Sequence, residues 1–374
     1  MKLTNPFVIH GYESPEYFCD RVEETQTLIQ MLTQTGNVLL TAPRRIGKTV
    51  LIEHCFNQPE IRDNYYTFMI DIYATKNVNE FVYLFGKSVM EQLRGKDKST
   101  WSQFLSVLSS LRPNVTFDAM GLPSWGVEIG DIKVPQLTLQ EIFSYLEQAD
   151  KPCLIAFDEF QTIASYPDKN VEALLRTHVQ HCKNARFIFS GSQRHVLAEM
   201  FNTAARPFYQ STVQMSLKPI DLQKYIEFAQ QHFLSANKKI EAETVENIYK
   251  RFSGITWYVQ YVLNVLFSMT PENTVCQPHQ VQAAIDVIMG QLDYSMSSLV
   301  FQLPAKQKEL LWALCREGET QSLTSKKFLN RYKLTASMVQ AAIRGLLEKD
   351  YVSCDLGTYF VYDKFLAEWM LRKM

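Results

Sequence analysis

Five short apolar runs punctuate the first part of the chain, and helix-like sequence separates them. The runs cover residues 38–42, 65–71, 153–158, 186–190 and 213–217. They are continuous rather than alternating, which is typical of strands buried on both faces of a parallel sheet. Amphipathic stretches at 78–93 and 171–182 suit the crossover helices between such strands. The pattern therefore predicts an α/β domain over residues 1–218.

One part of this domain does not follow the pattern. Residues from about 94 to 136 contain Pro113, Pro123 and Pro135, together with several glycines and two tryptophans. Proline and glycine mark turns and loops. We therefore predict that residues 94–136 form an insertion on the α/β body.

The strand pattern stops after Pro219. Helical periodicity at 221–234, 242–252, 257–269 and 278–292 predicts an all-α lid over residues 219–295. A smaller unit follows at 296–374, with helices predicted at 305–316, 326–332 and 335–349. Residues 351–362 contain two short strand-like runs around Gly357. Three helices followed by a hairpin predict a C-terminal winged helix.

Composition restricts the class of protein. A chain of 374 residues is too long for one ordinary core, and a formal net charge of −1 gives no overall attraction to nucleic acid or anionic membranes. Seven scattered cysteines without a CxxC pair argue against a disulfide framework and a zinc ribbon. No segment approaches the roughly 18 to 20 apolar residues of a membrane span, and the N-terminus lacks a signal-peptide core. We predict a soluble, cytoplasmic protein without a membrane partner.

The strongest chemical signal follows the first apolar run. Gly47, Lys48 and Thr49 lie between that run and a helix-like stretch, which is the context that a phosphate-binding loop requires. Backbone N–H groups in such a loop and at the helix N-terminus bind anions. Lys48 would reach the β- and γ-phosphates of ATP, and Thr49 would bind Mg²⁺. The residues predicted to hold the nucleotide here are Ala42, Pro43, Arg44, Arg45, Ile46, Gly47, Lys48, Thr49 and Val50.

A second match is the pair of acids that ends the third apolar run. The carboxyl ends of parallel strands meet at the sheet edge where ligands bind, so Asp158 and Glu159 would lie near the loop. Asp158 is then a ligand for Mg²⁺, and Glu159 polarises the attacking water. The alternative is a strand that merely ends in a solvated acidic turn. The neighbouring phosphate loop favours the catalytic interpretation.

Two further polar residues are candidates for catalysis. Ser192 follows the fourth apolar run, where it would lie near the γ-phosphate, and Ser190 is the second choice at this position; the alternative is a plain polar turn. Arg206 precedes the fifth run and could stabilise the charge that develops on the phosphates. The alternative for Arg206 is a surface salt bridge.

Several of these segments resemble the archaeal-type ATPases of the STAND branch of AAA+-related proteins, a family also common in gut Bacteroidetes. The resemblance covers nearly the whole chain and is carried by residues 5–7, 18–21, 43–49, 157–160, 190–192 and 362–369. It implies a P-loop NTPase of the ASCE/AAA+-like type with a five-stranded parallel sheet of order 5-1-4-3-2, then the helical lid and the winged helix. It also implies that Asp20 and Arg21 line the adenine side of the nucleotide. Asp20 could equally cap the helix that starts at about Val22.

The chain departs from the family pattern at two places. The loop begins with Ala42, where the family commonly has Gly or Ser, and alanine fits there if its φ is negative. In the lid the family usually carries Gly-x-Pro, whereas this chain has Gly254, Ile255 and Thr256.

The role of the winged helix stays open at the level of sequence. Its predicted recognition helix, 335–349, carries Arg344 and Lys349 as its basic residues, fewer than DNA-reading helices usually have. Contact with a partner protein, or autoinhibitory packing against the ATPase body, is therefore favoured over DNA binding. The expected partners are ATP or ADP and a protein partner or further copies of the chain in a homo-oligomer. The leading hypothesis is a slow ATPase that acts as a switch. The alternatives are an ATP-gated DNA-binding regulator and a scaffold that binds nucleotide without turnover.

Overall fold

The computed structural model describes residues 3–93, 116–117, 123–124, 128–355 and 357–373. The chain divides into two compact units. One is His10–Ile220, and the other combines Met1–Ile9 with Asp221–Met374. The three-part division at residues 218 and 295 stays a prediction.

A five-stranded, all-parallel sheet forms the centre of the first unit. The strands of this unit are β1 (Val38–Thr41), β2 (Tyr66–Asp71), β3 (Thr116–Phe117), β4 (Pro123–Ser124), β5 (Cys153–Asp158), β6 (Ala185–Gly191) and β7 (Val213–Ser216). The main sheet has the order β2-β5-β6-β1-β7, and β3 pairs with β4 in a separate antiparallel hairpin. If the five strands of the main sheet alone are numbered 1 to 5 in chain order, the sheet reads 2-3-4-1-5, which is the predicted order 5-1-4-3-2 from the opposite edge. The predicted α/β fold and strand order are confirmed.

Continuous burial explains why the central runs form strands, whereas the edge strands β2 and β7 are only partly buried. All six residues of β5 are buried, and β5 lies between β2 and β6 in the sheet. The rings of Phe157 and Phe187 stack at 6.2 Å between centroids, and Phe189 packs beside both. The helices of this unit are Val22–Gln30, Lys48–Phe56, Pro59–Arg62, Val78–Leu93, Pro135–Gln148, Val171–His181 and Arg194–Asn202. Most of the predicted insertion, 94–136, lies outside the described residues.

The second unit begins with the predicted helices. They are Leu222–Ser235, Ala242–Arg251, Thr256–Met269 and Gln280–Phe301. A short parallel pair of strands, β8 (Lys239–Ile240) and β9 (Val275–Cys276), lies among them. Two-residue strands are too short to produce a pattern that can be distinguished in sequence. The last helix of this group runs beyond its predicted end at 292, and Met296 and Val300 continue its buried face.

The N-terminal segment packs into this helical unit. Phe7 is fully buried, with ring centroids 5.7 Å from those of both Phe233 and Phe267. Asn264 Nδ2 donates to the Phe7 carbonyl at 2.8 Å, and Trp257 Nε1 donates to the Ile9 carbonyl at 3.0 Å. These contacts give the motif at residues 5–7 an anchoring role that sequence alone did not suggest.

The C-terminal part is a winged helix, as predicted. Its helices are Ala305–Glu317, Lys326–Tyr332 and Ala336–Glu348, and its strands are β10 (Glu319–Thr320), β11 (Val352–Asp355) and β12 (Thr358–Val361), in the order β10-β12-β11. A further helix, Lys364–Lys373, follows the hairpin. Among the described residues no helix combines the length and the apolar character needed to cross a bilayer.

Candidate functional site

The loop between β1 and the helix Lys48–Phe56 has the backbone of a tight turn. Arg45 and Gly47 have left-handed φ values of 66° and 100°, and Gly47 immediately precedes the helix. Ala42 is not among the residues with positive φ, so its methyl group fits without backbone strain. The helix N-terminus that follows carries the partial positive charge that attracts phosphates.

The side chain of Lys48 lies back across this loop. Lys48 is 5% exposed, and its Nζ donates to the Ala42 carbonyl at 3.3 Å. Burial lowers the pKa of Lys48, the carboxylates of Glu159 and Asp158 raise it, and the Arg44 guanidinium lowers it further. A buried ammonium is stabilised by a nearby anion. A phosphate bound in this loop would therefore stabilise the charged form of Lys48.

Thr49 and Asp158 are in direct contact, as the loop and acidic motifs require. Thr49 Oγ1 donates to Asp158 Oδ2 at 2.5 Å, and the second oxygen of this carboxylate accepts from the Glu159 N–H at 3.0 Å. Asp158 is 5% exposed. Mg²⁺ takes oxygen ligands and is usually bound through one or two carboxylates together with substrate phosphates. The hydroxyl and carboxylate of this pair fit such an ion.

Glu159 lies at the centre of a polar cluster. Its backbone is left-handed, with a φ of 54°. Its Oε2 accepts from Ser192 Oγ at 2.8 Å and from Gln161 Nε2 at 2.5 Å. The same Ser192 oxygen accepts from Arg44 Nε at 3.1 Å. Ser192 therefore joins the loop arginine to the acidic residue, whereas the Ser190 hydroxyl is buried without a hydrogen-bond partner among the described residues.

Three neighbours of this cluster were not identified from the sequence. Gln161 contacts Glu159 directly. Asp71 ends the edge strand β2 in register with Asp158, and burial raises the pKa of the Asp71 carboxyl, with further contributions from Asp158 and Glu159. The guanidinium of Arg44 lies over the ring of Tyr73, 5.9 Å from its centroid. Asp71 could have been identified from the sequence, because it is a charged residue at the carboxyl end of a predicted strand, as Asp158 is.

The segment at residues 18–21 lies against the loop. Asp20 and Arg21 both have left-handed φ values, 50° and 70°. Arg21 is 2% exposed; it pairs with Glu24 at 2.6 Å and donates from Nη2 to the Ile46 carbonyl at 3.4 Å. The suggestion that Asp20 caps the following helix is wrong, because the residue at the cap position is Arg21 and its side chain makes no capping hydrogen bond. Contact with adenine stays a prediction.

Arg206 does not join the cluster of loop and acidic residues in the described contacts. Its guanidinium pairs with Glu172 at 3.4 Å and with Glu199 at 3.2 Å. Burial raises the pKa of Glu172, Arg206 lowers it and Glu199 raises it. The ion pairs match the alternative interpretation of Arg206, and its role in catalysis stays a prediction. Of the other predicted loop residues, Pro43 lies in the loop after β1 and Val50 lies in the first turn of the helix Lys48–Phe56.

Comparisons with known families account for most of the chain. Residues 18–262 match the family described as "ATPase domain predominantly from Archaea". Residues 294–372 match a probable winged helix domain. No curated protein sequence matches the chain.

Several solved structures share the fold of this chain. A Walker-type ATPase of Pyrococcus abyssi is similar with a TM-score of 0.65 and 18% identity, over 98% of this chain and 99% of that one. The ORC1 protein of Aeropyrum pernix in complex with DNA gives 0.57 and 14%, over 99% and 96%. The ORC2 protein of the same organism, in ADPNP–ADP complexes, gives 0.54 and 13%, over 99% and 98%. At these identities the likeness establishes the fold.

Proposed function

The chain belongs to the family of ATPase domains found predominantly in Archaea, and we propose that it binds Mg-ATP at the loop before Lys48 and hydrolyses it slowly. The observation that carries the proposal is the 2.5 Å bond between Thr49 Oγ1 and Asp158 Oδ2. It brings the phosphate loop and the acidic strand end together, with Glu159 as the next residue.

The proposed chemistry divides the roles among these side chains. Lys48 and Arg44 stabilise negative charge on the phosphates, and Lys48 needs no reorganisation to do so because it is already held at the loop. Water attacks the γ-phosphorus, Glu159 accepts the proton of that water, and the bond to the bridging oxygen of ADP breaks. ADP and inorganic phosphate leave. Mg²⁺, which Thr49 and Asp158 would hold, supplies charge neutralisation on the phosphate oxygens when bound.

The proposed purpose of turnover is a conformational switch of the STAND type, not the conversion of a metabolite. Arg44 links the phosphate loop to Glu159 through Ser192, so the presence of a γ-phosphate would alter both ends of this chain of contacts. A change of nucleotide then changes the arrangement of the units, and hydrolysis resets it. Partner binding through the winged helix, or assembly with further copies of the chain, would transmit the state.

A DNA-binding regulator is the second candidate, and one observation favours it. Gln340 and Arg344 are exposed on the helix Ala336–Glu348 of the winged helix, and both side chains can read base edges. Lys326 and Lys327 are exposed on the preceding helix, where they could contact phosphates. A salt-dependent shift of duplex DNA that is lost in the Lys326→Glu, Lys327→Glu double variant supports this candidate. No shift in any nucleotide state excludes it.

The proposal is tested by nucleotide binding and phosphate release with the full chain. Wild type is expected to bind ATP and release phosphate in the presence of Mg²⁺, and Lys48→Ala is expected to lose both. Lys76→Ala, which removes an exposed lysine of the same unit, should leave both unchanged. If wild type binds ATP without releasing phosphate, the scaffold hypothesis replaces the ATPase. If Lys48→Ala binds ATP as wild type does, the proposed site is wrong.

A further inference from the structure

Gln161 has an environment that its position in the sequence does not explain. It belongs to the short helical segment Phe160–Ser165 after β5, yet its side chain turns back to the acidic residue two positions earlier. Its Nε2 donates to Glu159 Oε2 at 2.5 Å. Gln161 is 6% exposed, so solvent does not compete strongly for this bond.

The orientation of the Gln161 amide follows from its partner. An ionised carboxylate only accepts hydrogen bonds, so the NH₂ group must face Glu159 and the carbonyl must point the other way. That carbonyl, Oε1, is buried and has no hydrogen-bond partner among the described residues. Burying an unsatisfied acceptor is unfavourable. The hydrogen bond from Nε2 to Glu159 is therefore kept although it leaves the carbonyl oxygen of the same side chain without a hydrogen bond to the described residues.

Gly191 provides the space that the amide occupies. A Cβ atom at position 191 would lie 2.0 Å from Gln161 Oε1, 3.2 Å from Gln161 Cδ and 2.9 Å from Leu197 Cδ1, so the amide oxygen makes the closest approach. Gly191 does not have a positive φ, so its backbone conformation does not require glycine. The close approach of Gln161, with a smaller contribution from Leu197, is the reason that glycine suits this position at the end of β6.

The two hydrogen bonds on Glu159 fall on the same oxygen. Ser192 and Gln161 both donate to Oε2 and come from different strand ends: Ser192 follows β6 and also binds Arg44, whereas Gln161 follows β5. Two donors on one oxygen fix the plane of a carboxylate and reduce the electron density on that oxygen. The other oxygen, Oε1, is then the better proton acceptor.

We propose that Gln161 is a positioning residue for Glu159, and that it fixes the carboxylate so that Oε1 receives the proton of the attacking water. This inference rests on the proposed ATPase function. Gln161 touches neither nucleotide nor water in this role. It acts through Glu159, and Gly191 makes its approach possible.

The test compares Gln161→Met and Gln161→Glu with wild type and with Glu159→Gln. Methionine keeps the length of the side chain but removes the donor, and glutamate replaces the donor with a like charge. Both variants are expected to retain the KM for ATP while kcat falls about ten- to hundredfold, because misplacing a catalytic group by about 1 Å has effects of this size. Gln260→Met is the matched control, since Gln260 is also 6% exposed with an unpartnered Oε1, and lies in the helical unit. It should leave kcat unchanged.

Gly191→Ala gives an independent measurement. The methyl group should displace the end of the Gln161 side chain, which it approaches most closely, and so lower kcat like Gln161→Met; Leu197 Cδ1, 2.9 Å away, must shift by a smaller amount. The double variant should lose little more than either single variant, because both changes remove the same contact.

The outcomes separate this inference from the proposed function. If Glu159→Gln hydrolyses ATP like wild type, the ATPase assignment of Glu159 fails. If Glu159→Gln is inactive but the Gln161 variants keep the wild-type kcat, the inference about Gln161 alone is overturned. It is equally overturned if the variants lose ATP affinity and thermal stability in parallel with kcat, or if the Gly191→Ala and Gln161→Met losses add fully.

Discussion

Thr49 Oγ1 donates a hydrogen bond to Asp158 Oδ2 at 2.5 Å, although 109 positions separate the two residues in the chain. The contact exists because β1 and β5 are parallel strands of one sheet, with β6 between them. Their carboxyl ends therefore meet at the same edge. A phosphate loop and an acidic strand end are thereby combined into one candidate site for Mg-ATP.

Mg²⁺ should strengthen ATP binding only when the hydroxyl of Thr49 is present. We expect Thr49→Val to raise the Mg²⁺ concentration needed for tight ATP binding by about tenfold or more, since changes around a metal site commonly have effects of this size. Thr49→Ser keeps the hydroxyl and should stay close to wild type. Titration of ATP affinity against Mg²⁺ measures the effect. Equal Mg²⁺ dependence of the valine and serine variants would contradict the assignment.

Asp71 should reduce the stability of the nucleotide-free protein at neutral pH. Asp71 is exposed at the end of β2, but its folded-state pKa is still raised from the ordinary value of 3.8, first by its partial burial and then by the nearby Asp158 and Glu159, against the lowering effect of the Tyr73 N–H bond. A carboxyl with a raised pKa binds protons more tightly in the folded state. The free energy of unfolding therefore falls as the pH rises from about 3.8 through the folded pKa, and it stays reduced at higher pH.

Asp71→Asn should consequently raise the Tm at pH 7. The asparagine oxygen can still accept the N–H of Tyr73, which Asp71 binds at 2.9 Å. The gain in Tm should disappear below about pH 4, where the wild-type carboxyl is protonated in both states. Asp63→Asn, at another exposed acid of the same unit that precedes β2 and so lies away from Asp158 and Glu159, should give no comparable gain. A lower Tm for Asp71→Asn at pH 7 would be inconsistent with this explanation.

Arg206 provides a test of the arginine role that the sequence predicts. If its guanidinium stabilises the phosphates during hydrolysis, Arg206→Ala should lower kcat by about a thousandfold while ATP binding persists. Removing Arg206 also leaves the half-buried Glu172 without its cation, so Glu172→Gln is needed as a second variant. Phosphate release and Tm should be measured together. If Arg206→Ala lowers the Tm without lowering kcat, Arg206 has a structural role through its ion pairs and no role in catalysis.

Phe7 should anchor the N-terminal segment to the helical unit. Its buried ring packs against those of Phe228, Phe233 and Phe267. We expect Phe7→Ala to reduce the free energy of unfolding by about 3–5 kcal/mol, as for other buried phenylalanines. Phe301→Ala, at a ring that is 82% exposed, should change it by less than about 0.5 kcal/mol. Equal effects in denaturant unfolding would rule out the anchoring role.

The strands and helices of this protein could be predicted from its sequence because their positions depend on which residues are buried. Strands covered on both faces must be continuously apolar, and the order of the sheet followed from the family resemblance. The loop around Lys48 and the acids at Asp158 and Glu159 were identifiable for the same reason: their chemistry requires particular residues at the ends of particular strands.

The contacts that sequence could not predict depend on backbone conformation at single residues. Gln161 reaches Glu159 because Glu159 has a left-handed φ of 54°, and no residue pattern specifies that conformation for glutamate. The reason for a glycine at position 191 becomes visible only when the position of the Gln161 amide is known. Ion pairing of Arg206 with Glu172 likewise depends on how two helices and a loop meet in space.

The central claim, that Glu159 supports hydrolysis at a loop that binds ATP, is tested most directly by phosphate release at saturating Mg-ATP. Wild type and Glu159→Gln should be compared, with Glu60→Gln as the control at an exposed acid. We predict that all three proteins bind ATP, that wild type and Glu60→Gln release phosphate at equal rates, and that Glu159→Gln releases about a hundredfold less or lower, as expected for the loss of a general base. Phosphate release by Glu159→Gln at the wild-type rate would contradict the account.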